Sequence, residues 1–114
     1  MIDAFEEVTA WLTVPEAAEV LNIPMGRVRR LIDEHHLIAV KREGVPLIPA
    51  EIIVDGEPLP SLHGTMIVLL DSGFNIENAM EWLYVFNDNL PGTPMEFLLK
   101  GHKSAVRRLA MLLA

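Results

Sequence analysis

Residues 13–34 read TVPEAAEVLNIPMGRVRRLIDE and predict two short helices separated by a tight turn. Thr13 is a favourable N-cap, and the proline and glutamate that follow it suit the first turn of a helix. Pro24 stops that helix, because it has no amide proton and keeps the residue before it out of the helical region. We therefore expect the first helix to end near Leu21 and the second to cover about residues 24–34.

The second predicted helix has one apolar side and one basic side. Val28, Leu31 and Ile32 recur at the i, i+3 and i+4 spacing that places side chains on one helical face. That face is predicted to pack against the first helix, which leaves the opposite face to solvent. The residues predicted to face outward are Gly26, Arg27, Arg29, Arg30 and Asp33.

A β-hairpin is predicted to follow the two helices. The segments IAVKR (residues 38–42) and VPLIP (residues 45–49) have the composition of short strands, and the Glu-Gly pair between them suits a tight turn. The two prolines of the second strand cannot donate to a hydrogen-bond ladder, which predicts an edge strand. A hairpin in this position is a wing, and it carries two more basic residues, Lys41 and Arg42.

The strongest turn signals lie in residues 54–60, VDGEPLP, and predict a boundary between two domains. We expect a winged helix-turn-helix domain over residues 1–55 and a helical domain over residues 56–114. The fold class is therefore mainly α with a small β wing, a winged helix-turn-helix followed by a C-terminal helical bundle. The helices of the second domain are predicted over residues 61–71, 75–87, 94–100 and 102–114.

Large apolar side chains are assigned to the core. The chain is 51% hydrophobic, which excludes a disordered protein of low hydrophobicity. In the 75–87 helix the predicted buried face includes Ile76, Val85 and Phe86 together with Trp82. Trp11 is assigned to the core of the first domain for the same reason.

The net charge of −7 is unevenly distributed along the chain. All nine basic residues lie in residues 24–49 and 100–114, whereas residues 51–99 carry eight acids and no base. A negative net charge disfavours binding to a polyanion, yet a local basic face on an acidic body can still attract one. The competing interpretation is that both basic segments are ordinary solvated helix surfaces.

Two helices joined by a tight turn, the second with outward arginines, are typical of proteins that insert a recognition helix into the major groove of DNA. Arginine suits this role because its guanidinium forms paired hydrogen bonds with guanine and also binds phosphate. Helices meet at an angle in many domains that bind no DNA, so the pattern leaves both interpretations open. The predicted contacts with double-stranded DNA are Arg27 and Arg30 in the major groove, Arg29 on phosphate, and Lys41 and Arg42 of the wing on the DNA backbone. Gly26 is predicted to let the helix approach the groove closely.

Three segments are similar to the excisionase/MerR type of winged helix-turn-helix: WLTVPEAAEVLNIP (residues 11–24), RVRRLI (27–32) and HLIAV (36–40). Over residues 11–114 the chain more closely resembles a small actinobacterial family of DNA-binding proteins with a winged helix at the N-terminus and a helical C-terminal domain. The resemblance implies sequence-specific DNA binding by the arginines of the second helix and by the wing. We interpret the protein as a transcriptional regulator. Other matching segments are IP (48–49), SLHGT (61–65), LDSGF (70–74) and WL (82–83).

The C-terminal half has a second resemblance. Its segment AMEWL (residues 79–83) and the glycine and proline turn that follows are similar to the toxin-binding domain of bacterial antitoxins that also carry helix-turn-helix units. The alternative function is therefore an antitoxin-like protein whose C-terminal bundle binds a toxin or another protein partner. The same helices are the expected site of homodimer formation.

No metal site, cofactor or catalytic centre is predicted. The histidines at positions 35, 36, 63 and 102 lack the spacing of a metal site, and the chain has no cysteine. Glu77 and Glu81 are one helical turn apart but have no serine and histidine grouping beside them, so we do not expect an enzyme.

The ends of the chain give two further expectations. The acidic first residues do not resemble a signal peptide and no apolar run approaches the ~20 residues of a membrane span, so a cytoplasmic protein is expected. Lys103, Arg107 and Arg108 on the last helix are interpreted as solubilising residues rather than as part of the DNA contact.

Overall fold

The protein is described here by a computed structural model that covers residues 3–112. Within that range the chain forms two compact units. The N-terminal unit is residues 8–63, and the C-terminal unit is residues 64–112 together with residues 3–7. The expected class, mainly helical with small antiparallel sheets, is confirmed. The domain boundary expected between residues 55 and 56 stays a prediction.

The N-terminal unit contains two helices, two small sheets and the first residues of a third helix. Its core is formed by apolar side chains of the helices, of the longest strand and of the connecting segments. In chain order the elements are β1 (Trp11–Leu12), α1 (Val14–Leu21), α2 (Met25–Asp33), β2 (Val40–Arg42), β3 (Val45–Pro49), a 3-10 turn (Ala50–Ile52), β4 (Ile53–Val54), β5 (Glu57–Pro58) and the start of α3 (Pro60–Asp71). The buried apolar residues include Val14, Ala17, Leu21, Val28, Leu37, Ile38, Ile48, Ile52, Leu59 and Leu62.

Helix α1 begins and ends where its local sequence dictates. The Thr13 hydroxyl accepts a hydrogen bond from the Glu16 amide at 3.3 Å, and the Glu16 carboxylate accepts one from the Thr13 amide at 2.8 Å. This reciprocal capping box satisfies two amides that the helix leaves unpaired. At the other end Asn22 is left-handed with φ 58°, and the Ile23 amide donates to the Ala18 carbonyl at 3.0 Å. That pattern is a Schellman ending, which stops the helix before Pro24.

We expect Thr13→Ala to lower the free energy of unfolding by about 1 kcal/mol, because the N-cap acceptor is lost. Hydrogen bonds from the Thr13 backbone and side chain lower the pKa of Glu16, and the variant should move that pKa back toward its ordinary value. A lowered pKa in the folded state stabilises the protein above the unfolded pKa, and this contribution disappears as pH falls through the folded value. An NMR titration of the Glu16 carboxyl with thermal melts checks both parts. Alanine keeps the backbone amide that lowers this pKa most, so the pKa should move only part of the way. Unchanged thermal stability of the variant would contradict the role of the Thr13 hydroxyl as N-cap.

Helix α2 starts without a side-chain cap and ends in a second Schellman pattern. Pro24 is its N-cap, and the Val28 amide donates to the Pro24 carbonyl at 3.2 Å. After the helix His35 is left-handed with φ 66°, and the His36 amide donates to the Leu31 carbonyl at 2.8 Å. Histidine tolerates this conformation better than most side chains do. The two predicted helices and the turn between them are confirmed to within about a residue.

Strand β3 corrects one prediction, because it lies at the centre of its sheet rather than at the edge. The strand order is β1-β3-β2, with both neighbours antiparallel to β3. Pro46 faces Lys41, one pair beyond the turn, where an antiparallel ladder needs no hydrogen bond toward β2. Pro49 pairs with Trp11 of β1, and its nitrogen points to the other side, beyond the end of β2. Neither proline removes a ladder bond, so the central position is tolerated.

Both hairpins of the N-terminal unit turn through two residues with positive φ. In the β2–β3 loop Glu43 has φ 54° and Gly44 has φ 80°, and in the β4–β5 loop Asp55 has φ 53° and Gly56 has φ 77°. Two successive positive φ values are the pattern of a type I′ turn, whose twist matches that of paired strands. The sequence predicted the second loop as a turn but not the strands beside it, since β4 and β5 have two residues each.

The C-terminal unit is helical. It contains most of α3, then α4 (Ile76–Tyr84), α5 (Pro94–Leu99) and α6 (Lys103–Leu112), and the last two predicted positions of α6 lie outside the described residues. Phe5 joins this unit, because its ring meets the Tyr84 ring edge to face at 5.4 Å between centroids. The core is formed by Phe5, Met66, Leu69, Ala79, Met80, Leu83, Tyr84, Leu90, Met95, Leu98, Val106 and Ala110.

Helix α4 is shorter than predicted, and this changes which side chains are buried. It stops at Tyr84, and Val85 is extended with φ −96° and ψ 135°. The Asn87 side chain accepts from the Asn89 amide at 2.9 Å, a local bond that competes with helix. The predicted burial of Val85 and Phe86 is therefore wrong, since both are exposed. The predicted burial of Ile76 is wrong as well, because this residue is exposed at the start of the helix.

Arg107 has a structural contact that the sequence did not reveal. Its Nε donates to the hydroxyl of Thr65 at 3.2 Å, and Thr65 is completely buried. A Cβ added to Gly64 would lie 2.9 Å from the Arg107 Cζ, so the absence of a side chain at Gly64 leaves room for the guanidinium. Arg107 therefore joins α6 to α3, which corrects its interpretation as a solubilising residue.

Candidate nucleic-acid interface

Helix α2 presents its basic face to solvent, as predicted. Val28 is fully buried, and Leu31 and Ile32 are half-buried, so one side of the helix packs on the rest of the unit. Helix α1 provides the packing surface for α2. The exposed residues of α2 are Met25, Gly26, Arg27, Arg29, Arg30 and Asp33.

The three arginines of α2 are not neutralised by neighbouring carboxylates. Within residues 3–112, the side chains of Arg27, Arg29 and Arg30 form neither an ion pair nor a hydrogen bond. Asp33 lies one turn further along the same helix but does not pair with them. Together these arginines form what we call the arginine face, Arg27, Arg29 and Arg30, whose charge is open to a ligand.

The start of α2 is also open. Pro24 caps the helix with no side-chain hydrogen bond, so the first amides of the helix stay free for solvent or an anion. A Cβ built on Gly26 would meet no atom within 4 Å. The fold itself therefore does not require glycine at this position, and its place at the closest approach of DNA stays a prediction.

The wing places its two basic residues on opposite faces. Lys41 and Arg42 are neighbours on β2, and successive strand residues point to opposite sides. Lys41 is exposed, whereas Arg42 is half-buried with its Cζ 5.1 Å from the centre of the Trp11 ring. This cation–π contact fixes the position of the Arg42 guanidinium. The structure thus does not bring the side chains of Lys41 and Arg42 together. The contact of Trp11 with Arg42 was not predicted from the sequence, because β1 is only two residues long.

One contact near the end of α2 was missed. His36 and His63 stack with ring centroids 4.0 Å apart and planes 11° apart, a contact between residues 27 positions apart that no local sequence pattern indicated. The stack joins the segment after α2 to the first turn of α3. Within the described part of the chain no group of three or more histidine, aspartate or glutamate side chains could hold a metal ion. None of the helices in residues 3–112 is long and apolar enough to cross a membrane.

The order of α1, turn, α2 and the β2–β3 hairpin, with the second helix exposed, defines a winged helix-turn-helix protein. Two family models match the chain: the wHTH domain of the DNA-binding protein Rv2175c over residues 1–53, and the Rv2175c C-terminal domain of unknown function over residues 59–114. The chain belongs to the Rv2175c family. This agrees with the actinobacterial family indicated by the sequence.

One family member, Rv2175c, has both a curated sequence and a solved structure that are similar to this chain. The DNA-binding protein Rv2175c of Mycobacterium tuberculosis is 33% identical over 78 residues, which are 68% of this chain and 53% of the relative. The chain thus matches about half the length of that relative. The NMR structure of Rv2175c superposes with a TM-score of 0.86 at 26% identity and covers 99% of this chain and 86% of the other.

Proposed function

We propose that the protein is a transcriptional regulator of the cytoplasm that binds double-stranded DNA with α2 in the major groove and the β2–β3 wing on the adjacent backbone. The observation that carries this proposal is the arginine face, which is exposed and unpaired within the described residues. Membership of a family named for a DNA-binding protein supports it.

Binding would begin with electrostatic attraction and end with readout of base edges. Arg27 and Arg30 are proposed to reach the groove, and Arg29 with Lys41 to bind phosphates. Because the guanidinium of Arg42 packs on the Trp11 ring, it would contact the DNA backbone from a fixed position. One protomer would make only a few phosphate contacts, so we propose that a homodimer formed through the C-terminal helices supplies the affinity of a specific site.

Selection of duplexes from a random pool by the whole chain tests this function. A DNA-binding regulator should enrich a defined motif, and its affinity for that motif should fall as the salt concentration rises, with a log–log slope of ~0.9 per phosphate contact. Failure to enrich any motif, with binding that does not depend on salt, would contradict the proposal.

Gly26→Ala should change stability and DNA affinity in opposite directions. Alanine is the better helix former and meets no neighbouring atom at this position, so the free energy of unfolding should rise by about 0.5 kcal/mol. The added methyl group should obstruct the approach of DNA and lower affinity for the selected duplex several-fold. Chemical denaturation and fluorescence anisotropy measure the two effects. Unchanged affinity in a stabilised variant would remove Gly26 from the interface.

An antitoxin role remains the alternative, and the exposed Phe86 within the 79–109 segment favours it. An antitoxin should form a stable complex with the product of a neighbouring gene when the two are expressed together. The complex should be lost when the exposed surface of the C-terminal unit is altered, while DNA binding by the arginine face is retained.

A further inference from the structure

A groove in the C-terminal unit combines an apolar floor with an acidic rim. Its cavity of about 310 Å³ is lined by residues 3–7 of the chain, the end of α4 and the start of α5. The floor is Tyr84, Val85 and Phe86, where the chain leaves α4 in an extended conformation. We call this feature the acidic groove, and its rim is formed by Asp3, Glu6, Glu7 and Glu96.

Two apolar side chains of the floor are open to solvent. Phe86 is 64% exposed and Val85 is 49% exposed. Val85 also lines an adjoining cavity of about 500 Å³ that contains Phe74 and Trp82, whose rings lie 6.4 Å apart. Single exposed apolar residues are common, and here two neighbouring ones line a cavity, which offers a place for an apolar side chain of a ligand.

The charge around the groove selects the partner. Among the nine residues that line it, four are carboxylates and none is lysine or arginine. Within the described residues, Glu6, Glu7 and Glu96 form no ion pair, so their charge is not neutralised by this chain. Complementary charge around an apolar centre is the arrangement of a specific protein interface, with a desolvated anchor and a polar rim.

We propose that the acidic groove binds a basic segment of another protein, with one large apolar side chain of that segment on Val85 and Phe86 and its lysines or arginines against the rim. The groove belongs to the C-terminal unit and the arginine face to the N-terminal unit. The proposal therefore does not rest on DNA binding. The groove is negatively charged, whereas the arginine face is positively charged.

The test uses the whole chain, labelled with ¹⁵N, and the synthetic peptide KRKFLKRK. We expect amide signals of residues 84–86 and of Glu6 and Glu7 to shift on titration, and the charge-reversed peptide EDEFLEDE to cause no shift. Phe86→Ala should weaken peptide binding about tenfold, because the apolar anchor site is lost. Glu6→Lys combined with Glu7→Lys should weaken it about tenfold as well and should remove most of its salt dependence.

Matched controls separate the groove from overall charge and hydrophobicity. Met111→Ala removes an apolar side chain that is 61% exposed on α6, and Glu51→Lys with Glu57→Lys changes the net charge equally on the other unit. Both controls should bind the peptide as the wild type does, and Phe86→Ala should bind DNA normally. Equal losses in controls and groove variants would overturn the proposal. So would a dimer of the wild type that Phe86→Ala converts to a monomer, since the occupant would then be a second copy.

Discussion

Replacing Arg27, Arg29 and Arg30 together with alanine should weaken binding to the selected duplex by about 100-fold or more at 0.15 M salt. In the proposed complex each arginine would donate a charged hydrogen bond to a base or a phosphate, and one good bidentate base contact is worth about 1–3 kcal/mol. The log–log salt slope should become shallower by about 0.9, because the one phosphate contact assigned to Arg29 is removed. Fluorescence anisotropy over a range of salt concentrations measures both quantities.

The same triple variant should keep the thermal stability of the wild type, since all three side chains are exposed and unpaired within residues 3–112. The matched control is Arg108→Ala, which removes an exposed arginine from α6. Arg30→Ala alone should already lower affinity with little change in melting temperature. Arg108→Ala should weaken DNA binding much less than the triple variant does per arginine removed. An equal loss per arginine would mean that DNA contacts a different surface.

Val28→Ala should give the largest loss of stability on the same helix. Val28 is completely buried, and its truncation removes two methyl groups and leaves a cavity under α2. We expect the free energy of unfolding to fall by about 2 kcal/mol and the melting temperature by roughly 10 °C. Chemical and thermal denaturation followed by circular dichroism measure the change.

Val20→Ala is the control for this variant, because Val20 lies on α1 and is 49% exposed. Its effect should stay within about 0.5 kcal/mol. Val28 and Arg30 are two residues apart on α2 but face opposite sides, so one should govern stability and the other DNA affinity. A stability loss from Val20→Ala equal to that from Val28→Ala would contradict the packing of α2 described above.

The local features of the fold were predictable because neighbouring residues determine them. Thr13 with Glu16 sets the start of α1, and Pro24 sets the turn before α2. The burial of Val28 and the exposure of the arginine face follow from helical spacing alone. These are the features on which the candidate interface depends.

The features that were missed depend on residues distant in sequence. The central position of β3 requires β1, whose two residues give no strand signal. Arg107 contacts Thr65, 42 positions away, and no local pattern connects them. The exposure of Phe86 follows from the early end of α4, where an asparagine side chain replaces helical hydrogen bonds.

The two units of this acidic chain expose surfaces of different chemical character. The N-terminal unit exposes positive charge on a helix that its own core positions, and the C-terminal unit exposes an apolar floor within a negative rim. The negative charge of the C-terminal unit would repel DNA phosphates, which favours docking through the arginine face alone.

An NMR titration of the ¹⁵N-labelled whole chain with the selected duplex tests the central claim most directly, because it reports which residues meet DNA. The account predicts that the largest shifts fall on residues 25–30 of α2 and residues 41–44 of the wing, and that they diminish as salt is added. Shifts confined to Lys103 and Arg108 of α6, with the signals of α2 unmoved, would contradict it.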